Sequence, residues 1–209
     1  MKGENSTDIL LATLKNESPN YGFTLSTDEL KRLASFYELL EAWNTRLHLV
    51  APCSAKEFAT RHLLESMFLT NYLPNNATVV DVGSGAGLPI IPCLIVRSDL
   101  RATLIESSKK KAVFLREALK QVGVSESATV IAERFETLSE LKADIVTSRA
   151  LDKFEVRLAE LVNWSPKTAS LLLYGGPSMR KKLQQLKLGF AEELLANSVR
   201  RFLFTVKPH

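Results

Sequence analysis

The chain has 209 residues, enough for one large domain or for a domain with an added lobe. Its composition, 45% hydrophobic and 24% charged, is typical of a soluble globular protein. It lacks a membrane-spanning apolar run and a basic-then-apolar leader, and Cys53 and Cys93 lack a metal or redox spacing, so we expect a cytoplasmic protein without a metal. The net charge of +4 permits an RNA partner without requiring one.

Three helical patterns precede the first strand pattern. The first covers residues 7–15, the second begins at Ser26, and the third runs from Ser54 to about residue 72. Each of the two serines has a glutamate three residues later, Glu29 and Glu57, which is the capping-box spacing. We therefore predict an N-terminal helical addition, residues 1–75, packed on a core of residues 76–209 within one compact domain.

From residue 78 onward, strand and helix patterns alternate, which is typical of a mostly parallel sheet with helices on both faces. The region 191–199 can contain a short strand paired with the last one, and we expect the C-terminal strand to run antiparallel in the sheet. The predicted strands are 78–82, 102–105, 128–132, 144–148, 170–174 and 201–206, and the predicted helices are about 88–97, 109–122, 136–141, 153–163 and 178–187.

A glycine-rich turn follows the first strand. Gly83, Gly85 and Gly87 alternate after Asp81, and their lack of a Cβ lets the backbone approach a ligand. The spacing departs from the G-x-G-x-x-G dinucleotide fingerprint because Leu88 takes the sixth position, and no P-loop lysine follows. A ligand with a carboxylate and a ribose, such as S-adenosylmethionine, fits better than a phosphate ligand. The alternative is a plain strand–turn–helix connection.

Glu106 ends the second predicted strand, 23 positions after Gly83. An acidic residue at this point accepts hydrogen bonds from ribose hydroxyls in nucleotide-binding α/β folds. The alternative is an ordinary charged residue at a strand end. Together with the glycine turn, Glu106 favours a ribose-containing cofactor.

Basic residues cluster near two predicted helix starts and near the C-terminus. Cations in a first helical turn oppose the helix dipole, so either Glu106 or an external phosphate should compensate. The alternative for each cluster is solvated surface. Arg200, Arg201 and Lys207 form a third basic group, to which we assign no role. The clusters that we assign to substrate RNA are Lys109, Lys110 and Lys111, and Arg180, Lys181 and Lys182.

Six short segments, in order, resemble the motifs of one protein family. The segments are Trp43 to Leu49 (W-N-x-x-x-N-L), Arg61 to Ser66 (R-H-x-x-(D/E)-S), Asp81 to Pro92 (D-V-G-S-G-x-G-x-P), Lys109 to Leu115 (K-(K/R)-x-x-F-L), Arg134 to Glu136 (R-x-E) and Thr147 to Ala150 (S-R-A). They resemble the RsmG (GidB) family of bacterial guanine-N7 methyltransferases of 16S ribosomal RNA, and the resemblance covers about residues 30–176.

The resemblance implies a Rossmann-like class I S-adenosylmethionine-dependent methyltransferase that acts as a monomer on 16S ribosomal RNA or the small ribosomal subunit. Three positions depart from the family's usual residues: His48 replaces asparagine, Ile90 replaces glycine, and Tyr174 replaces lysine. The last change puts in doubt any substrate role borrowed for that lysine. The cofactor contacts that the resemblance implies are Gly83, Leu88, Phe135, Glu136 and Arg149, to which the turn adds Gly85.

The predicted chemistry needs no general base, because guanine N7 carries a lone pair and no proton. Ser148, Arg149 and Ala150 follow the fourth strand in place of the Asn/Asp-Pro-Pro-aromatic motif of amine methyltransferases. We assign no catalytic residue. A small-molecule methyltransferase and a non-catalytic RNA-binding or assembly module remain the alternatives.

Overall fold

The computed structural model describes residues 5–139, 141–149 and 154–207. Helix α1 spans Ser6–Glu17 and α2 spans Thr27–Leu47. A third helical stretch follows, made of α3 (Ala55–Glu57), a π-helical segment (Phe58–Leu64), α4 (Glu65–Met67) and a 3-10 segment (Phe68–Tyr72). Among the described residues, no helix has the length and apolar character of a membrane span.

The α/β part carries seven strands. They are β1 (Thr78–Val82), β2 (Arg101–Ile105), β3 (Ala128–Ile131), β4 (Ile145–Ser148), β5 (Ser170–Gly175), β6 (Phe190–Leu194) and β7 (Phe202–Val206). The main helices between them are α5 (Ile90–Val96), α6 (Lys109–Gln121), α7 (Phe154–Trp164) and α8 (Pro177–Gln185).

The strands form one sheet in the order β3-β2-β1-β4-β5-β7-β6. The pairs β1–β2, β1–β4, β2–β3 and β4–β5 are parallel, whereas β7 runs antiparallel to both β5 and β6. This confirms the predicted mostly parallel sheet with an antiparallel C-terminal strand. The chain reverses its direction of winding between β1 and β4, which is where open α/β sheets bind their ligands.

The two faces of the sheet bury two hydrophobic clusters. Val79 of β1 lies in one cluster, and Val80 and Val82 lie in the other, as strand alternation requires. The first cluster joins α5 and α6 to the N-terminal helices, and the second contains residues of α7 and α8. Trp43 is partly buried and packs against the first cluster, with its ring centroid 5.9 Å from that of Phe114. The boundary between residues 1–75 and 76–209 stays a prediction.

Capping follows the sequence at α2 and only partly at α3. Ser26 and Glu29 form the complete capping box. Ser54 accepts a hydrogen bond from the Glu57 N–H at 3.1 Å, but the Glu57 carboxylate bonds to Arg61 at 2.8 Å instead of reaching back. The predicted second box is therefore half formed, because a cation one turn away competes for the carboxylate.

The predicted helix over 136–141 is wrong. Among the described residues of this range, a 3-10 turn, Phe135–Thr137, forms in place of a helix, and the backbone is extended at Leu138. The Trp164 indole N–H donates to the Leu138 carbonyl at 3.0 Å, so a tertiary contact takes an acceptor that a helix would need. Residue 153, the predicted start of the next helix, lies outside the described residues.

Candidate functional site

A cavity with a volume of about 700 Å³ opens at the carboxyl ends of the parallel strands. Segments from both the helical addition and the α/β part surround it. The lining residues are Leu49, Val50, Ala51, Arg61, His62, Glu65, Gly83, Ser84, Gly85, Ala86, Leu88, Glu106, Ser107, Ser108, Lys111, Arg149, Arg157, Tyr174, Gly175, Leu195 and Arg201.

The glycine turn adopts a backbone that other residues rarely take. Gly83, Gly85 and Gly87 have φ angles of +73°, +50° and +75°. A Cβ on Gly87 would meet Ile91 Cδ1 at 2.4 Å, so this glycine permits close packing of the turn on α5. A Cβ on Gly85 would meet only the Gly83 carbonyl at 3.7 Å, which is ordinary contact. Gly83 and Gly85 both line the cavity, as the predicted ligand approach requires.

The Glu106 carboxylate ties the glycine turn to the start of α6. One of its oxygens accepts from the Gly85 N–H at 2.9 Å and the other from the Ser108 N–H at 2.7 Å. Ser108 is the N-cap of α6, and its hydroxyl accepts from the Lys111 N–H. The carboxylate thus lies beside the helix end where Lys109–Lys111 oppose the dipole, which is the compensation that the sequence suggests.

The loop after α2 forms another part of the wall. His48 caps α2 with φ +48°, a left-handed conformation that asparagine adopts more readily, which explains why asparagine is usual there. The Asn44 amide holds this loop by accepting from the Val50 N–H at 3.0 Å and donating to the Val50 carbonyl at 3.1 Å. Leu49 and Val50 line the cavity.

Arg149, just after β4, reaches across to the π-helical segment. Its guanidinium donates to the Arg61 carbonyl at 2.7 Å, the His62 carbonyl at 3.3 Å and the Ser66 hydroxyl at 2.8 Å. The Arg61 carbonyl is available because the Glu65 N–H bonds to Thr60 in the wider π turn. The local widening of this helix therefore creates an acceptor for Arg149.

Glu65 lies between two guanidiniums. Its side chain is 2% exposed, and it bonds to Arg201 Nη2 at 2.5 Å while Arg149 Nη2 lies 3.8 Å away. The Tyr174 hydroxyl donates to the Glu65 backbone carbonyl at 3.0 Å, and the Arg149 guanidinium lies 5.5 Å from the centroid of the Tyr174 ring. Burial holds the pKa of Tyr174 well above its ordinary value, so the phenol stays a neutral donor.

His62 is neutral at physiological pH. Burial, together with the positive charges of Arg149, Arg61 and Arg201, lowers its pKa to about 3. The imidazole therefore cannot act as a general acid near pH 7, although its remaining N–H can still donate a hydrogen bond. In the described part of the chain, no group of three or more His, Cys, Asp or Glu side chains could hold a metal ion.

The structure brings together five of the seven predicted cofactor residues, since Gly83, Gly85, Leu88, Glu106 and Arg149 all line the cavity. Two predicted residues, Phe135 and Glu136, are not among the described residues that line it. The Phe135 ring is buried against Trp164, with centroids 5.5 Å apart, and the Glu136 carboxylate lies 3.3 Å from Arg157, which does line the cavity. Direct cofactor contact by any of the seven stays a prediction, and Ala150 lies outside the described residues.

The residues of the two predicted RNA clusters also differ in whether they line the cavity. Lys111 lines the cavity, whereas Lys109 and Lys110 are exposed on the outer side of the same helix turn. Lys181 and Lys182 are not among the described lining residues, and Arg180 forms a bidentate bond with Glu192 at 2.6 and 2.7 Å. The lining cations that sequence reasoning did not assign to the site are Arg61, Arg157 and Arg201.

Sequence analysis also did not assign roles to Asp81. This carboxylate is buried at the end of β1, and neither oxygen has a hydrogen-bond partner among the described residues. The Ser84 hydroxyl instead donates to the Asp81 backbone carbonyl at 2.9 Å. Burial, together with the nearby charge of Glu106, raises the pKa of Asp81 to about 7.

The sheet order and the cavity beside β1 define the class of protein. Similarity to solved structures identifies the same fold: a SAM-dependent methyltransferase from Aquifex aeolicus superposes with a TM-score of 0.56 at 14% identity, covering 83% of this chain and 97% of that one. An O-methyltransferase from Bacillus cereus superposes with a TM-score of 0.58 at 13% identity, covering 83% and 90%. The chain has the class I S-adenosylmethionine-dependent methyltransferase fold.

The family follows from sequence similarity. Residues 29–202 match the family model described as GidB, rRNA small subunit methyltransferase G. The chain is 37% identical over 155 residues to the ribosomal RNA small subunit methyltransferase G of Neisseria gonorrhoeae (strain NCCP11945), covering 74% of this chain and 71% of that protein. The corresponding protein of Gluconobacter oxydans (strain 621H) is 38% identical over 143 residues, covering 68% and 70%. The chain belongs to the GidB (RsmG) family, which confirms the resemblance.

The Asp81 carboxyl should make stability depend on pH. Because its pKa is near 7 in the folded state and near 3.8 when unfolded, the folded state binds the extra proton between these values. Its contribution to stability is thus full below pH 3.8 and is lost as the pH rises towards 7. Asp81→Asn should make the free energy of unfolding of the ligand-free protein fall less between pH 5 and 8, by about 2–4 kcal/mol. Urea titrations across this range measure it, and parallel curves for the two proteins would contradict the assignment.

The Glu106 carboxylate should contribute strongly to cofactor binding. Hydrogen bonds to a charged group are worth about 1.5–3 kcal/mol. We therefore expect Glu106→Ala to weaken S-adenosylmethionine binding by about ten-fold to a hundred-fold in calorimetry. Because this carboxylate also holds Gly85 and Ser108, the unfolding free energy must be measured in parallel. A change below two-fold would mean that this carboxylate is not at the ribose.

Proposed function

We propose that this protein transfers a methyl group from S-adenosylmethionine to N7 of a guanine in 16S ribosomal RNA. Membership of the GidB family over residues 29–202 is the observation that carries the proposal. We also propose that it acts as a monomer in the cytoplasm, where small ribosomal subunits are assembled. The cavity geometry supports the cofactor, and the charges around it support the nucleic acid.

The cavity fits the proposed cofactor. Its volume of about 700 Å³ lies in the range that small-molecule sites occupy. Gly83 and Gly85 allow the backbone to approach a ligand, and Glu106 offers a carboxylate to ribose hydroxyls. Leu88 supplies an apolar contact, and Arg149 supplies a charged wall. When bound, S-adenosylmethionine supplies an electrophilic methyl group on a positively charged sulfur.

The side chains around the cavity suit a reaction that moves no proton. Guanine N7 attacks with a lone pair, so the protein has only to hold the base in line at about 3–3.5 Å from the methyl carbon. His62 stays neutral and can accept a hydrogen bond or donate one without changing charge. Tyr174 is protonated and engaged with the Glu65 carbonyl. Neither residue is required as a base.

Three cations around the cavity are suited to approach an RNA backbone. Lys111 lies beside the Glu106 side of the cavity, and Arg61 and Arg201 line the side formed by the helical addition. The side chains of Arg61 and Arg201 are 47% and 36% exposed, so phosphate can reach both. We expect the RNA to lie between these two sides, because its charge must be matched where the base enters.

Labelled S-adenosylmethionine tests the function directly. The protein is incubated with small ribosomal subunits, with naked 16S RNA that lacks the modification, and with a metabolite extract. Label in the RNA of either of the first two samples supports the proposal. Label in metabolites alone supports the small-molecule alternative, and label in none, with cofactor bound, supports the non-catalytic module.

The position of methylation has its own test. A 16S transcript made with 7-deazaguanosine carries carbon at position 7 and therefore lacks the nucleophile. We expect label in the guanosine transcript and none in the 7-deaza transcript. Equal label in both would leave an RNA methyltransferase but would contradict N7 as its target.

The cluster Lys109–Lys111 should contribute more to RNA binding than the cluster Arg180–Lys182. Replacing all three lysines by glutamine should weaken binding of 16S RNA and reduce the slope of log affinity against log salt by up to about 2, since fewer counterions are released. The affinity for S-adenosylmethionine should change less than the affinity for RNA. Filter binding at several salt concentrations measures the slope.

The matched control replaces Arg180, Lys181 and Lys182 by glutamine, which removes the same number of charges. We expect a smaller change in slope, because Arg180 is already paired with Glu192. If the two triple variants lose the same slope, the lysines have no special position. If neither loses any, the RNA face must be sought around Arg61, Arg200 and Arg201.

A further inference from the structure

The cavity wall has an excess of positive charge. Five cationic side chains line it against two carboxylates, Glu65 and Glu106. A sulfonium ligand should be repelled by such a wall, because unit charges interact over several ångströms when water is partly excluded. The cations are Arg61, Lys111, Arg149, Arg157 and Arg201.

The two carboxylates are held differently. Glu106 is bound by two backbone N–H groups and belongs to the proposed ribose contact. Glu65 is bound by cations, with Arg201 at 2.5 and 3.3 Å and Arg149 at 3.8 Å. It is also the more deeply buried of the two, with 1% of the residue exposed against 7% for Glu106. Removing the Glu65 charge would leave two guanidiniums beside the cavity without their carboxylate.

Backbone contacts fix Glu65 in this place. Its carbonyl accepts from the Tyr174 hydroxyl, and the Ser66 hydroxyl next to it accepts from Arg149. These contacts hold the Glu65 backbone, and the carboxylate itself cannot swing out to solvent without breaking its bonds to Arg201 and leaving Arg149. A negative charge fixed this way is screened little by salt, in contrast to an exposed ion pair.

We infer that Glu65 is the counter-charge that allows this arginine-lined cavity to accept a positively charged cofactor and to bind its neutral product less favourably. The inference rests on the proposed use of S-adenosylmethionine. That cofactor and its product, S-adenosylhomocysteine, share the adenosine and amino-acid groups and differ in the sulfur, which carries a positive charge before methyl transfer and none after it. Glu65 acts through the electrostatic potential and through Arg149 and Arg201, so it is a positioning residue.

The ratio of the two affinities isolates this charge effect. Damage to the cavity shape weakens the cofactor and the product alike, whereas loss of the counter-charge weakens the cofactor more. Glu65→Gln keeps the side-chain shape and removes the charge. We expect the affinity for S-adenosylmethionine to fall by about three- to twenty-fold more than the affinity for S-adenosylhomocysteine, on the basis of one unit charge in a partly desolvated site. Calorimetry with each compound measures both.

Two further variants decide the outcome. Arg201→Gln removes a positive charge from the same wall, so the ratio should move in the opposite direction and favour the cofactor; this variant also serves if Glu65→Gln does not fold. Glu57→Gln removes an exposed glutamate from the same helical stretch, one that pairs with Arg61 and does not line the cavity, and should leave the ratio unchanged.

The inference is overturned if Glu65→Gln leaves the ratio at the wild-type value, or if Arg201→Gln shifts it in the same direction as Glu65→Gln. Wild-type protein that binds neither compound would instead overturn the proposed function. Wild-type protein that binds both, with an unchanged ratio in Glu65→Gln, would overturn only the inference.

Discussion

The guanidinium of Arg149 joins the two parts of this molecule. Arg149 follows β4 directly in the chain. Its guanidinium donates to backbone carbonyls of the π-helical segment, which belongs to the N-terminal addition. These bonds close one wall of the cavity, since Arg61, His62 and Arg149 all line it. Hydrogen bonds from a charged donor are stronger than those between neutral groups. The cavity therefore depends on docking of the helical addition, not on the α/β part alone.

The opposite wall depends on a second charged group, the Glu106 carboxylate. Its two backbone bonds fix the glycine turn against the start of α6, so the turn keeps its shape where the ligand must approach. The positively charged Arg149 donates to backbone carbonyls, whereas the negatively charged Glu106 accepts from backbone N–H groups. Each of these groups thereby binds the backbone of a neighbouring segment. Such an arrangement can orient two reactants without any side chain that changes its protonation, which is what attack by guanine N7 requires.

Local patterns in the sequence were sufficient to predict the sheet and part of the cavity lining. The six strands predicted as separate runs agree with the structure within one residue at either end, because alternating or continuous apolar runs between turns specify them. Gly83 and Glu106 lie together because both follow parallel strands that end at the same edge. The wrong helix over 136–141 arose where Trp164, distant in sequence, takes the Leu138 carbonyl.

The other wall could not be predicted, because its contacts span long separations. Glu65 meets Arg201 across 136 positions and its carbonyl meets Tyr174 across 109, and no periodicity encodes such pairs. The π-helical segment could not be predicted either, because its sequence pattern is that of an ordinary helix. Only the motif resemblance drew attention to Arg61, His62, Glu65 and Ser66, and it could not give them roles.

RNA binding and cofactor binding place opposite requirements on the charges of the site. RNA phosphates require cations near the entrance, whereas a sulfonium ligand requires that the interior not be strongly positive. Lys111 has no ion-pair partner among the described residues, and Arg61 pairs only with a half-exposed glutamate, so both can meet a phosphate. Deeper in the wall, Arg149 shares the buried Glu65 with Arg201. Burial strengthens the interactions of the Glu65 carboxylate, whereas the exposed cations, Lys111 and Arg61, are held only weakly by protein groups. One cavity can thereby present a positive rim to a polyanion and a more nearly balanced interior to a cation.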